Sequence, residues 1–348
     1  MNKVKTILLG LGYMGRNHLN ALQEHDGFEV AYVLEPGEID ANLLPSTASH
    51  IRTLDELNDD SVTCAVVATP TETHFTVGRQ LLERNLSVLM EKPAATTSAQ
   101  ASSLVAMADD RQIKLAAGNI ERCNPAMTLL VDVLSSGILG RPVHVRTQRA
   151  GRFPGAVKPG NDVVLDLAVH DFDILRMLFG PLQFEHASGG ITRLTGIYDT
   201  AEFSFSAEGG IFGSVHVNWL TPQKARSITI TGSLANCTVD LINQTCDVFG
   251  SELDKLACDR LVEEHAAIVK QTDTHKQLSI KAPKNKALHI QLTEFYAYLR
   301  GESTRLATGQ QLIESVEMVE KAGLLLRKSM GDTQLTDSQV SWKPYFIR

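Results

Sequence analysis

The chain opens on a short apolar run, Val4 to Leu9, with the length and flanks of a buried strand. A glycine-rich turn follows, then a helical pattern with Leu19, Ala21 and Leu22 on its apolar side. A second apolar run, Val30 to Leu34, ends on Glu35. The segment from Pro36-Gly37 to Ser49 is polar, and Pro45 limits any helix there. The alternation then resumes. Val62 to Ala68 reads as a buried strand ending in Thr69-Pro70-Thr71, and His74 to Arg84 as a helix with Val77, Leu81 and Leu82 inward. Leu86 to Met90 is a strand ending in Glu91-Lys92-Pro93, Ser98 to Asp109 a helix, and Lys114 to Ala117 a further strand. Strands alternating with helices predict a doubly wound parallel sheet, which binds ligands outside the carboxyl ends of its strands.

After Asn124 the pattern changes. Pro125 to Leu134 reads as a helix, Gly137 to Gly140 as a turn, Val143 to Arg149 as a half-buried strand and Val163 to Leu178 as a helix. Alternating segments at 186–190, 200–206, 213–218, 227–231 and 238–241 predict an open, mainly antiparallel sheet. Residues 252–280 are polar and take no clear pattern, and amphipathic helices at Leu288–Leu299 and Gln310–Leu326 close the chain. The fold class expected is therefore α/β. Residues 1–122 form a dinucleotide-binding domain of the doubly wound type, and 123–348 an α/β domain with an open sheet.

The first turn, Gly10-Leu11-Gly12-Tyr13-Met14-Gly15, sits between a strand and a helix. Gly10 permits the tight turn, Gly12 lets backbone approach a pyrophosphate, and Gly15 lets the helix pack on the strand. The helix N-terminus offers N–H donors to phosphate. Glu35 lies twenty residues beyond Gly15, where a carboxylate accepts from ribose hydroxyls and disfavours a 2′-phosphate. The cofactor expected is NAD rather than NADP. The alternative is a structural βαβ unit without cofactor.

Composition bounds the partners. The 348 residues suit two domains, with 43% apolar and 21% charged content. A net charge of −7 argues against a nucleic-acid binder. No apolar run is long enough for a membrane span, and the N-terminus lacks the pattern of a secretory signal. The five cysteines, Cys64, Cys123, Cys237, Cys246 and Cys258, are scattered without a CxxC pair, which reads as reduced thiols in a cytoplasmic protein and gives no basis for a metal site.

Three groups of residues could carry chemistry. Lys92, at a strand end and held extended by Pro93, could stabilise an alkoxide, or be a surface lysine in a turn. Asp166 and His170 are four apart and share one helix face, as an oriented general base or as a helix-stabilising pair. Arg146, Arg149 and Arg152, with Arg122 and Asn124 after the fifth strand, offer forked donors for a diphosphate or carboxylate, or form a solvated basic face. His74, His216 and His289 read as ordinary polar or core histidines.

The glycine turn, Thr69-Pro70 with His74, Glu91-Lys92-Pro93 and Asp166-xxx-His170 occur in the order found in the Gfo/Idh/MocA oxidoreductases, which the chain resembles over nearly its whole length. The resemblance implies hydride transfer between a sugar or cyclitol carbinol and NAD(P). It implies Lys92, Asp166 and His170 as catalytic residues, and Gly10, Gly12, Tyr13, Met14, Gly15, Glu35, Thr69, Pro70, His74, Glu91, Lys92 and Asn119 as cofactor contacts. Within the family, 118–126, 163–178 and 215–232 resemble nucleotide-sugar dehydrogenases of the UDP-N-acetylglucosamine 3-dehydrogenase type. That implies a UDP-linked substrate held by Lys92, Arg122, Asn124, Arg149, Arg152, Asp166 and His170, and a homodimer or homotetramer formed through the open sheet. Cys123 stands where an aromatic residue is expected, Asn119 where a histidine is common, and Glu35 in place of the commoner aspartate. The remaining alternatives are an inositol or free-sugar dehydrogenase, an NAD-dependent redox-assisted glycosidase, and a non-catalytic NAD-binding protein.

Overall fold

In the computed structural model, residues 3–155, 157, 161–193, 196–272 and 274–330 are described. The chain begins β1 (Val4–Leu9), α1 (Tyr13–Glu24), β2 (Phe28–Leu34), β3 (Ser49–Ile51), β4 (Cys64–Val67), α2 (Thr71–Glu83), β5 (Ser87–Glu91), α3 (Ser98–Asp110), β6 (Leu115–Gly118). It continues α4 (Pro125–Ser135), β7 (Pro142–Arg152), α5 (Val169–Phe179), β8 (Leu182–Gly190), β9 (Thr200–Ala207), β10 (Ile211–Asn218), β11 (Leu220–Gly232), β12 (Asn236–Asp240), β13 (Thr245–Gly250). It ends α6 (Lys255–Glu264), β14 (Ala266–Gln271), β15 (Lys276–Lys281), α7 (Ala287–Leu299), β16 (Ala307–Thr308), α8 (Gly309–Met330).

Two compact units form. Among the described residues, the first joins 3–124 to 284–317 and the second joins those of 125–283 to 318–330. The first carries a seven-stranded sheet in the order β16-β6-β5-β4-β1-β2-β3, parallel except for β16. Its order reverses between β1 and β4, the switch point where such sheets bind ligands. Side chains alternate across it: Ile7, Leu9, Ala65, Val67, Val88 and Met90 enter one core, and Leu8, Cys64, Val66 and Leu89 the other.

A single cut near residue 122 does not describe this unit. The segment 284–317 returns to it, and α7 places Leu292 and Phe295 in the same core as Leu19, Leu22 and Phe28 of α1 and β2. A sheet apolar on both faces needs a helix layer on each, and α7 completes the one that α1 begins. Helix α8 begins in the first unit and ends in the second.

The second unit carries a nine-stranded sheet, β14-β15-β13-β12-β11-β7-β10-β9-β8. Every pairing is antiparallel except β7 with β10, as expected for a mainly antiparallel open sheet. The patternless stretch 252–280 is α6 and the β14–β15 hairpin. Edge strand β14 is exposed along most of its length, so no burial imposes alternation there.

Candidate functional site

The first unit holds the turn and Lys92. Gly10 has φ +88, and a Cβ on it would lie 2.8 Å from the Ala68 carbonyl oxygen. A Cβ on Gly15 would lie 2.0 Å from the Gly10 oxygen, whereas one on Gly12 would meet nothing within 4 Å. The outer two glycines let turn, helix and β4 close-pack, and Gly12 leaves open space over the turn. Gly12 caps α1 without a side-chain hydrogen bond, and no acid occupies the first turn. The donors from Tyr13, Met14 and Gly15 are those an uncapped helix offers to a phosphate. Tyr13 is exposed.

Glu35 has a second task that sequence did not suggest. Its Oε2 accepts the Leu11 N–H at 2.8 Å, which ties the end of β2 to the glycine turn. A carboxylate has lone pairs left for a ribose hydroxyl. His50 on β3 lies 2.8 Å from the Glu35 carbonyl; a carbonyl only accepts, so Nε2 carries the proton.

Two buried histidines brace the strand ends. His74 of α2 brings Nδ1 to the Pro93 carbonyl at 2.8 Å and Nε2 to the Thr69 carbonyl at 2.9 Å. It bridges the segments that follow β4 and β5. Desolvation pushes its pKa down, and the two carbonyls oppose this. The residue pattern reads His74 as a polar or core histidine, and the resemblance adds it to the cofactor contacts; it is buried and hydrogen-bonds the segments after β4 and β5. His18 of α1 places Nε2 2.7 Å from Glu91 Oε1, and Glu91 Oε2 lies 3.2 Å from the Lys92 backbone nitrogen. Glu91 is thus spent on positioning the strand end from which Lys92, half-buried, projects. His18 escaped sequence analysis, although Gly15, His18, Leu19 and Leu22 mark the buried face of α1.

The corrections fall on the cations and amides expected to hold substrate. Arg122 is 3% exposed and donates to Gln311 Oε1 and the Arg305 carbonyl. Asn124 is buried and donates to Glu121 Oε2 at 2.9 Å. Asn119, expected as a cofactor contact and not as a substrate ligand, is also buried and follows β6. Arg149 is 1% exposed and forks onto Asp171, with Nε–Oδ2 2.9 Å and Nη2–Oδ1 3.1 Å. The cluster Arg146, Arg149, Arg152 does not exist as one face: a strand alternates, so Arg149 points inward while Arg146 and Arg152 are exposed.

The second unit also holds Asp166 and His170. The helix expected over 163–178 begins with a π turn, Val164–Ala168, that runs into α5. Such turns insert a residue and redirect side chains, often at functional sites. Asp162 caps it, with Oδ1 accepting from Val164 N (2.9 Å) and Leu165 N (3.1 Å). Burial is the main cause of the rise in the Asp162 pKa, and the nearby Asp166 charge adds to it. Asp166 and His170 are both half-buried. Asp166 Oδ2 accepts from Trp219 Nε1 at 3.2 Å, a contact no spacing in the sequence announces. Among the described residues no cluster of His, Cys, Asp or Glu is placed to hold a metal ion, and no helix is long and apolar enough to cross a membrane.

A sheet with its switch point at the glycine turn, an uncapped helix over it and an acid at the next strand end define a dinucleotide-binding protein. Residues 4–119 match the profile described as "Oxidoreductase family, NAD-binding Rossmann fold", and 127–238 the Gfo/Idh/MocA C-terminal domain; together they span about two thirds of the chain. The chain belongs to the Gfo/Idh/MocA family of oxidoreductases and is an enzyme of that class. It is 26% identical over 259 residues to UDP-N-acetylglucosamine 3-dehydrogenase of Acidithiobacillus ferrooxidans, covering 72% of this chain and 78% of that protein. It is 30% identical over 189 residues to inositol 2-dehydrogenase 1 of Saccharopolyspora erythraea, covering 50% of this chain and 54% of that one. A solved structure of the Acidithiobacillus enzyme superposes with a TM-score of 0.78 over 95% of this chain and all of the other at 21% identity, a likeness of fold.

Proposed function

We propose that the protein transfers hydride between a sugar carbinol carbon and NAD, with C3 of a UDP-linked N-acetylhexosamine or its uronic acid as the reacting position. The observation that carries the reading is the bracing of Glu91-Lys92-Pro93 by His18 and His74, which fixes a lysine at the carboxyl end of a strand in a dinucleotide-binding sheet. The sugar nucleotide is favoured by the similarity to UDP-N-acetylglucosamine 3-dehydrogenase over most of both chains. The inositol dehydrogenases support a second reading, a free cyclitol, over about half of this chain.

The open space over Gly12 and the uncapped α1 suit a pyrophosphate, and Glu35 suits an unphosphorylated ribose, so NAD is preferred to NADP. When bound, the nicotinamide supplies the hydride acceptor. His170 takes the proton of the reacting hydroxyl as general base. Lys92 donates a hydrogen bond to that oxygen and stabilises the alkoxide as charge develops. Asp166 orients His170 or holds a neighbouring hydroxyl. With Arg122, Asn124 and Arg149 withdrawn, the exposed Arg152 suits a diphosphate. The open face of the nine-stranded sheet, which exposes Arg146 and Phe212, suits pairing of subunits into a homodimer or homotetramer.

Lys92→Ala tests the assignment. Turnover with UDP-N-acetylglucosamine should fall by roughly 100-fold or more, the scale of a lost charge-stabilising donor, while NAD binding by calorimetry changes little. Near-wild-type turnover removes Lys92 from the chemistry.

A further inference from the structure

Trp219 is a buried residue to which the reaction assigns no task. It is 3% exposed at the end of β10. Its backbone N–H donates to the Asp199 carbonyl at 2.8 Å. The preceding Asn218 accepts from Leu220 N (3.0 Å), Thr221 N (3.0 Å) and Thr221 Oγ1 (2.8 Å), which fixes the turn on the other side. Phe153 packs edge-on against the indole, centroids 5.6 Å apart at 78°. The ring is therefore held at backbone and side chain alike, and its N–H is aimed at one atom, Asp166 Oδ2.

Asp166 is fixed from the other side by the π turn, its own N–H bonded to the Asp162 carbonyl at 2.9 Å. An indole N–H donates only. It bonds a carboxylate lone pair and cannot serve an oxygen that needs to donate back. Oδ2 thus accepts from a donor whose own position is fixed.

We infer that Trp219 is a positioning residue for the reaction, its indole N–H holding the Asp166 carboxylate in the orientation that the acid–base pair uses. The inference rests on the proposed role of Asp166. It differs from a purely structural account, in which a buried indole satisfies its N–H on the nearest acceptor and its loss affects every function alike.

Two measurements separate these accounts. The first needs no substrate. The chain's other tryptophan is Trp342, so a Trp342→Phe background leaves Trp219 as sole emitter. Excitation moves electron density from the pyrrole toward the benzene ring, which a carboxylate at the pyrrole N–H favours. Asp166→Asn should therefore shift the emission to shorter wavelength; unchanged emission overturns the contact. The second is a double-mutant cycle with UDP-N-acetylglucosamine and NAD. Trp219→Phe should lower kcat roughly 10-fold or more, the scale of a hydrogen bond to a charged group, with KM for NAD unchanged. In an Asp166→Ala background, which removes the acceptor, the same substitution should cost nothing further. Equal losses in both backgrounds overturn the inference and leave the role of Asp166 intact. Wild-type turnover of Asp166→Asn itself overturns the catalytic reading of Asp166, and the inference with it.

Discussion

At the scale of single residues, several side chains expected to meet ligand instead hold the protein together. Arg149 is the plainest case. A buried guanidinium requires a carboxylate, and Asp171 supplies it in a two-point contact. Sequence shows three arginines at intervals of three, and only strand alternation reveals that the middle one faces inward. His74 is the second case, and it carries a prediction. Its folded pKa lies below 6.5, chiefly through desolvation. The unfolded chain therefore binds more protons as pH falls below about 6.5, and stability drops there. The contribution of His74 is fully present above that value and is lost toward the lower folded pKa. Relative to His74→Asn, the wild type should hold its largest stability advantage near about pH 7.5 and lose part of it by about pH 5.5. Denaturant melts across that range check this; a constant advantage contradicts a His74 pKa lowered by burial.

At the scale of elements, the strand–turn–helix unit was legible because hydrophobic runs, glycines and Glu35 agree with one another. Gly15 shows how strict the packing is. A Cβ there would sit 2.0 Å from a backbone oxygen, which has no flexible end to yield. Gly15→Ala should destabilise the protein by about 2 kcal/mol or more and weaken NAD binding, since α1 must move off the turn. Denaturation and NAD titration together test this, and wild-type values in both would contradict the packing. Other elements left weaker marks. Strand β3 is three residues long and follows a polar segment, and the exposed β14 lacks alternation. The π turn at Asp166 reads in sequence as ordinary helix, because its apolar spacing fits either geometry. Glu91-Lys92-Pro93 was visible as a motif, whereas the partners that brace it, His18 of α1 and His74 of α2, come from separate elements that only the fold brings together.

At the scale of the whole molecule, the two sheets were foreseen and the chain's route between them was not. Residues 284–317 return to the first unit because the sheet needs a second helix on the α1 face, a requirement of packing that no local pattern encodes. The residues of the proposed reaction divide in the same way: one unit carries the glycine turn, Glu35 and Lys92, the other Asp166, His170 and Trp219. Family membership fixes the class, and the proposed reaction adds the substrate. The most direct test is NADH formation by the purified protein, supplied with NAD and separately with UDP-N-acetylglucosamine, its uronic acid, inositol and free hexoses, after checking denatured protein for copurified nucleotide. NADH appearing with a UDP-sugar alone is the predicted result. NADH with inositol alone would contradict the nucleotide-sugar assignment and retain hydride transfer. Release of a free sugar from a sugar conjugate, with bound NAD unchanged after turnover, would contradict the dehydrogenase reaction itself.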